Sequence, residues 1–76
     1  MTDALAEAHA IYTDAMRAYN AAVLASRRVR GTRYHEKAQR HERECHAAYW
    51  RAKRYYDLVR EGVRPERAAL IISAGG

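Results

Sequence analysis

From Asp3 to Arg30 apolar side chains recur every three or four residues, in two adjacent stripes. Leu5, Tyr12, Met16, Tyr19 and Val23 form a stripe of large side chains. Ala4, Ala8, Ile11, Ala15, Ala18, Ala22, Ala25 and Val29 form a second, mostly small one. This is the period of an α-helix. Neither proline nor glycine interrupts the run, and alanine is the strongest helix former. Thr2 and Asp3 offer an N-cap. Acids (Asp3, Glu7, Asp14) come early and arginines (Arg17, Arg27, Arg28, Arg30) late, as the helix macrodipole favours. The pattern predicts a helix over residues 3–30. Its two stripes cover about half the circumference, where one packed face needs roughly 100°. The first helix is therefore expected to touch two neighbours, with the alanine stripe as a close-packed seam.

The break comes inside Arg27-Arg28-Val29-Arg30-Gly31-Thr32-Arg33, which is also the densest run of positive charge. Gly31 suits the left-handed residue that ends a helix, and Thr32 suits the N-cap of the next. So short a turn, residues 31–32, predicts that the neighbouring helices fold back antiparallel. A second helix is expected over residues 33–61, stopped by Gly62. Tyr34, Ala38, His41, Cys45, Ala48, Ala52, Tyr55 and Val59 follow alternating steps of three and four along it, a heptad-like seam that Tyr49 and Tyr56 widen on one side. Arg33, Glu36, Arg40, Arg43, Arg51 and Arg54 make up its outer face. Antiparallel pairing is expected to set Leu5 near Leu58, Ala15 near Ala48, Tyr19 near Cys45 and His9 near Arg54. Pro65 then fits the first position of a short third helix, residues 65–73, carrying Ala68, Ala69, Leu70, Ile71 and Ile72. The end of the chain, Ser73 to Gly76, is expected to fray.

The predicted architecture is one all-α domain, an antiparallel two-helix hairpin with a short C-terminal helix. A chain of 76 residues buries little core. Cys45 is its only cysteine, so no internal disulfide compensates. Two helices meeting on one seam do not bury a half-circumference apolar face, and the third covers only a few turns. A homodimer or larger helical bundle is expected, with Tyr12, Ala15, Tyr19, Ala22, Ala48, Tyr49, Ala52 and Tyr56 in its helix or protomer seams. Residues 1–7 carry early acids and no basic leader, and no apolar run nears the roughly 20 residues of a membrane span. A cytoplasmic, non-membrane protein is expected.

Charge and candidate chemistry narrow the function classes. The formal charge of +5 is carried mostly by arginine, with Lys37 and Lys53 as the lysines. Arg27, Arg28, Arg30 and Arg33 surround a helix N-terminus, where free N–H groups already favour anions. Guanidinium groups grip phosphate or carboxylate in bidentate fashion. Arg27, Arg28 and Arg30 do not all point one way on a helix, which argues for a solvated tip as much as for a dock. Trp50 falls far from the seam, among Arg43, His46, Lys53, Arg54 and Asp57. That setting suits a binding anchor, a base-stacking platform, a self-association contact, or simple cover by Leu70, Ile71 and Ile72. Arg27, Arg28, Arg30, Arg33, Arg40, Arg43, Trp50 and Arg54 make up the candidate anion- or partner-binding set.

His41 and Cys45 stand four apart, a workable spacing for two metal ligands, but no further His or Cys is expected opposite them, so neither a metal nor another cofactor is assigned. His35, His46 and Glu42 complete the titratable group on this helix. The six tyrosines suit core packing or an interface rather than catalysis. There is no Gly-rich phosphate loop, no nucleophile beside an evident base and no paired carboxylates in a concave setting, so the chain is not expected to be an enzyme. The expected function is a small binding protein that docks on an acidic macromolecular partner and regulates or inhibits it, of the accessory or inhibitor kind that phages and mobile elements encode. The alternatives are nucleic-acid binding, which Glu36, Glu42, Glu44, Asp57 and Glu61 weaken, and sequestration of a small anionic ligand such as a nucleotide between protomers.

Overall fold

The computed structural model of the chain describes residues 3–74, and these contain three α-helices and no strand: α1 (Ala4–Arg28), α2 (His35–Arg60) and α3 (Pro65–Ala74). Thr2, Gly75 and Gly76 lie outside the described residues, so the capping role of Thr2 and the end of the tail lie outside them too. Ser73 and Ala74, expected to fray, continue α3.

The helix ends show why the boundaries fall where they do. Asp3 caps α1 in extended geometry, its carboxylate accepting from the Leu5 N–H at 3.0 Å. At the other end α1 stops at Arg28, two residues short of the expected 30. Val29 to Thr32 form a turn closed by the Thr32 N–H donating to the Val29 carbonyl at 3.0 Å. Gly31 is its third residue, at φ 81°, a position that admits glycine far more readily than any other residue. Thr32 is not the residue before α2. Its hydroxyl accepts from the Tyr34 N–H at 3.2 Å and its carbonyl from the His35 N–H, capping a tight lead-in turn. Regular helix then begins at His35, two residues later than expected, with Tyr34 at the N-cap and no side-chain cap of its own.

The C-terminus of α2 is a Schellman motif. Gly62, at φ 97°, donates to the Val59 carbonyl and Val63 to the Leu58 carbonyl, both at 3.0 Å. Pro65 then opens α3, with the Arg64 carbonyl accepting from the Ala68 N–H.

α1 lies along α2, and α3 packs on α2 as well. His9 meets Tyr56 and Tyr19 meets His46, so numbers rise along α1 while they fall along α2. The buried side chains are small: Ala8, Ala22, Ala52, Ala68 and Ser26. No large side chain among the described residues is fully buried. At about 0.8 kcal/mol per buried methyl-sized group, alanines supply a modest fraction of what leucines would. The accessible surface is 6044 Å² for a chain of 8.7 kDa. A compact monomer of that mass exposes about 4,700 Å². The molecule is elongated, with Cα extents of 46 × 25 × 16 Å.

The α2 seam is rotated from its expected position. His41 and Tyr34 are exposed, whereas His35, Ala38, Glu42, Cys45, Tyr49, Ala52, Tyr56 and Val59 are buried or half-buried at heptad spacing. On α1 the partner seam is Ala8, Tyr12, Ala15, Tyr19, Ala22 and Ser26, continued by Val29 at the C-cap, with Tyr12 and Tyr19 set between small residues. The physical cause is α3. Ala48 and Tyr55, half-buried, line a groove with Ala69 and Ile72 rather than the middle of the α1 contact. The expected pairs shift accordingly. Tyr19 meets His46, one residue from Cys45; His9 meets Tyr56, not Arg54; and Leu58 lines a recess with Trp50 and Glu61 on the outer side of α2.

Candidate functional site

The rotated seam brings aromatic rings of both long helices into one ladder, since alanines opposite the tyrosines leave room for their rings. From end to end the rings are His9, Tyr56, Tyr12, Tyr49, Tyr19, His46 and Trp50, each 5.1–6.1 Å from the next by centroid. Tyr12 stacks on Tyr56 at 14° and Tyr19 on Tyr49 at 27°, and Trp50 stands edge-on to Tyr49 at 71°. Offset and tilted contacts of this kind exceed plain area burial by roughly 0.5–1.5 kcal/mol per pair. The Tyr12 and Tyr49 hydroxyls lie 3.5 Å apart. Hydrogen bonding to Tyr49 chiefly, with burial and the nearby Tyr49, Asp57 and Tyr56 adding to it, pushes the Tyr12 phenol above its ordinary value.

The ladder ends at the surface in Trp50, which is 50% exposed. Its indole N–H donates to His46 Nε2 at 2.8 Å, so the neutral His46 ring keeps its own proton on Nδ1. Lys53 Nζ sits 4.8 Å from the indole centroid, on the ring face that attracts cations. An aromatic anchor is thus fixed in orientation and crowned by a positive charge. α3 does not cover it: the recess beside it is lined by Trp50, Lys53, Arg54, Asp57, Leu58 and Glu61, and Leu70 is itself 69% exposed.

On the same side of α2 a second recess, of about 360 Å³, is lined by Tyr19, Gln39, Glu42, Arg43 and His46. Two rings of the ladder form one wall, and an amide, a carboxylate and a guanidinium supply polar groups. The third hollow lies across the molecule. It is a groove of about 460 Å³ where all three helices contribute, with Ile11, Ala48, Ala52, Tyr55, Ala69 and Ile72 as its apolar lining.

The expected anion site at the turn is less unified. Arg27, Arg28, Arg30 and Arg33 are all exposed. Arg27 and Arg28 sit in the last turn of α1, where they complement its dipole. Arg33 bonds the Tyr34 hydroxyl at 2.6 Å and lies 4.9 Å from that ring centroid. Arg40, Arg43 and Arg54 are exposed along α2. Of the expected seam residues, Ala22 and Ala52 are buried, and Tyr12, Ala15, Tyr19, Ala48, Tyr49 and Tyr56 half-buried. His41 Nε2 and Cys45 Sγ come within 3.6 Å, but no group of three or more potential metal ligands exists among the described residues. No described helix is long and apolar enough to cross a membrane.

Several members of the site escaped the sequence. His9 enters the ladder because of the inter-helix register, which no local pattern reveals. The sequence does set Trp50 among His46 and Lys53, at i−4 and i+3 on one helix, and the structure adds the hydrogen bond and the cation contact. Ile11 and Ile72 in the groove depend on where α3 lands. No protein-family model, curated protein or solved structure matches the chain.

Proposed function

We propose that the chain is a non-catalytic binding module: an antiparallel helical hairpin that self-associates and presents the Trp50 face to an acidic macromolecular partner, regulating or inhibiting it. The observation that carries the partner surface is Trp50 itself. A half-exposed indole costs solvation, yet its N–H is bonded to His46, its face is occupied by Lys53, and Arg43 and Arg54 are exposed on the same helix, beside Asp57 and Glu61 in the recess. Buried aromatic anchors with neighbouring cations dominate binding energy at interfaces. A rigid indole also loses little entropy on docking. Self-association is supported by the surface, 6044 Å² against the roughly 4,700 Å² of a compact monomer of this mass.

The test is affinity capture of host proteins on the immobilised full chain, with and without nuclease, beside Trp50→Ala. Recovery of an acidic protein by the wild type alone, unaffected by nuclease, supports the proposal. Loss of the captured species on nuclease treatment moves the function to nucleic acid, whose binding would also fall steeply with salt.

A second function has one specific observation in its favour. The recess of Tyr19, Gln39, Glu42, Arg43 and His46 combines ring faces with a guanidinium, as a small anionic aromatic ligand such as a nucleotide requires. Thermal shifts with a panel of nucleotides test it, and a flat panel removes it.

A further inference from the structure

Trp50 is the only tryptophan of the chain, and a histidine holds its ring in place. The indole N–H donates to His46 Nε2 at 2.8 Å, one turn back along α2. An indole nitrogen only donates, so this bond needs a lone pair on Nε2. The neutral imidazole has that lone pair, whereas the imidazolium carries a proton on both nitrogens and accepts nothing. Imidazole is also the side chain whose charge changes between about pH 5 and 8. We propose that His46 is a pH-operated latch on Trp50: the neutral ring holds the indole, and a proton taken up at Nε2 releases it. This rests on the reading of Trp50 as the partner-binding anchor and names what regulates that anchor.

The surroundings allow the latch to work without opening the fold. His46 is exposed, so a proton reaches it directly from water. His46 is the one hydrogen-bond partner of the indole among the described residues, so the N–H loses its only protein acceptor when the ring is protonated. Two donors cannot remain 2.8 Å apart, and one ring has to move. His46 stays against Tyr19 of α1, 5.1 Å away by centroid, since that contact needs no lone pair. Trp50 is the ring with room, being 50% exposed and only edge-on to Tyr49 and His46.

The charges around the pair are mixed. Glu42 and Arg43 line one recess with His46 and Tyr19, and Lys53, Arg54, Asp57 and Glu61 line the other with Trp50. An imidazolium adds a cation beside an indole whose face already meets Lys53 Nζ at 4.8 Å. At neutral pH the anchor is therefore presented already oriented. In acid its ordering falls to the binding step, which weakens docking.

The single indole gives one side-chain ¹H–¹⁵N resonance, so the latch is read on the free full chain, with no partner present, from about pH 5 to 8.5. In the wild type this resonance is expected to shift in one step with its midpoint in the imidazole range, while circular dichroism shows constant helix content. His46→Gln offers an amide oxygen to the indole but does not titrate, and His46→Phe offers a ring and no acceptor. Both are expected to give an indole resonance that stays flat over the same range. A static wild-type resonance overturns the latch. So does a titration that persists in His46→Gln, which assigns the shift to another group, such as His41. Either result leaves Trp50 standing as an anchor, whereas failure to capture a partner leaves the titration untouched.

Discussion

The hydroxyls of Tyr12 and Tyr49 lie 3.5 Å apart and their rings 5.6 Å apart, at the middle of a ladder that runs from His9 to Trp50. Each ring except Trp50 sits against a ring of the other helix, and Trp50 packs on His46 and Tyr49 of its own. The ladder therefore does the work that buried leucines do in larger bundles: it ties α1 to α2 at one register while the alanines between set the distance. Because the hydroxyls are only half-buried, the pair also answers to pH.

The Tyr12 phenol is held above its ordinary value of 10.0, chiefly by hydrogen bonding to Tyr49. A raised value means that the fold favours the protonated phenol. Its contribution to stability is complete below about pH 10 and is lost as pH rises through the higher folded-state value. Tyr12→Phe is expected to lower stability at pH 8 and to flatten the loss between pH 8 and pH 11. Urea unfolding of both proteins at the two pH values measures this. Parallel declines in the two proteins would show that the Tyr12 and Tyr49 hydroxyls are not coupled in solution.

Glu42 and His41 show how far the amino-acid pattern reaches. Helix content, the glycine stops and Pro65 at the start of α3 follow from local rules, because they depend on residues within one or two turns. The α1 seam does not: Ile11, Ala18 and Ala25 of the alanine stripe are exposed, and Tyr12 and Tyr19 of the other stripe join Ala8, Ala15 and Ala22. Nor does the rotation of α2. His41 and Glu42 are both polar, so neither marks the seam, and the choice falls to α3, which occupies the side of Ala48 and Tyr55. The ladder is hidden for the same reason. Each tyrosine is visible as a large amphipathic residue, but its neighbour is fixed by register between helices. Trp50 lay off the seam on a helical wheel and is half exposed, yet only the distances to His46 and Lys53 show an oriented anchor.

Gly31 and Gly62 are positions of backbone necessity rather than of space. An added Cβ would meet no atom within 4 Å at either, while both have positive φ. Gly31→Ala and Gly62→Ala are each expected to cost about 1–2 kcal/mol. The two glycines flank α2, about 39 Å long at 1.5 Å per residue, so their effects should add. Asn at either position should recover part of the loss, since it tolerates the left-handed region. Denaturant midpoints of the single and double variants decide this, and a neutral Gly31→Ala would mean that the turn rearranges.

Ala22 and Ile11 differ in burial, although both sit in the apolar stripe of α1. Ala22 is 3% exposed and Ile11 51% exposed. Ala22→Glu places an unpaired carboxylate in the α1–α2 seam and is expected to cost several kcal/mol, enough to unfold so small a domain. Ile11→Glu faces the groove and is expected to change unfolding by about 0.5 kcal/mol or less in the monomer. Circular dichroism followed through denaturation distinguishes the two. A folded Ala22→Glu protein would show that the seam opens more easily than its packing implies.

His46 should affect partner binding through the orientation of Trp50, while its contact with Tyr19 bears on the α1–α2 packing, so binding and unfolding are measured together. Trp50→Ala removes the anchor, and loss of a dominant interface aromatic costs about 2 kcal/mol or more, roughly 30-fold in affinity. His46→Ala keeps the indole but removes the acceptor for its N–H and the ring edge-on to it. The indole then samples other rotamers, and its ordering falls to the binding step, at about 0.5–1.5 kcal/mol per immobilised side chain. The expected order of affinity for the captured acidic partner is wild type, then His46→Ala, then Trp50→Ala, with the His46→Ala midpoint lowered as well, by about 0.5–1.5 kcal/mol for the lost contact with Tyr19. His46→Phe keeps the ring without the acceptor and should fall with His46→Ala if the hydrogen bond sets the orientation. Wild-type affinity in His46→Phe would assign the orientation to ring packing instead, and equal loss in all three variants would place His46 in direct contact with the partner.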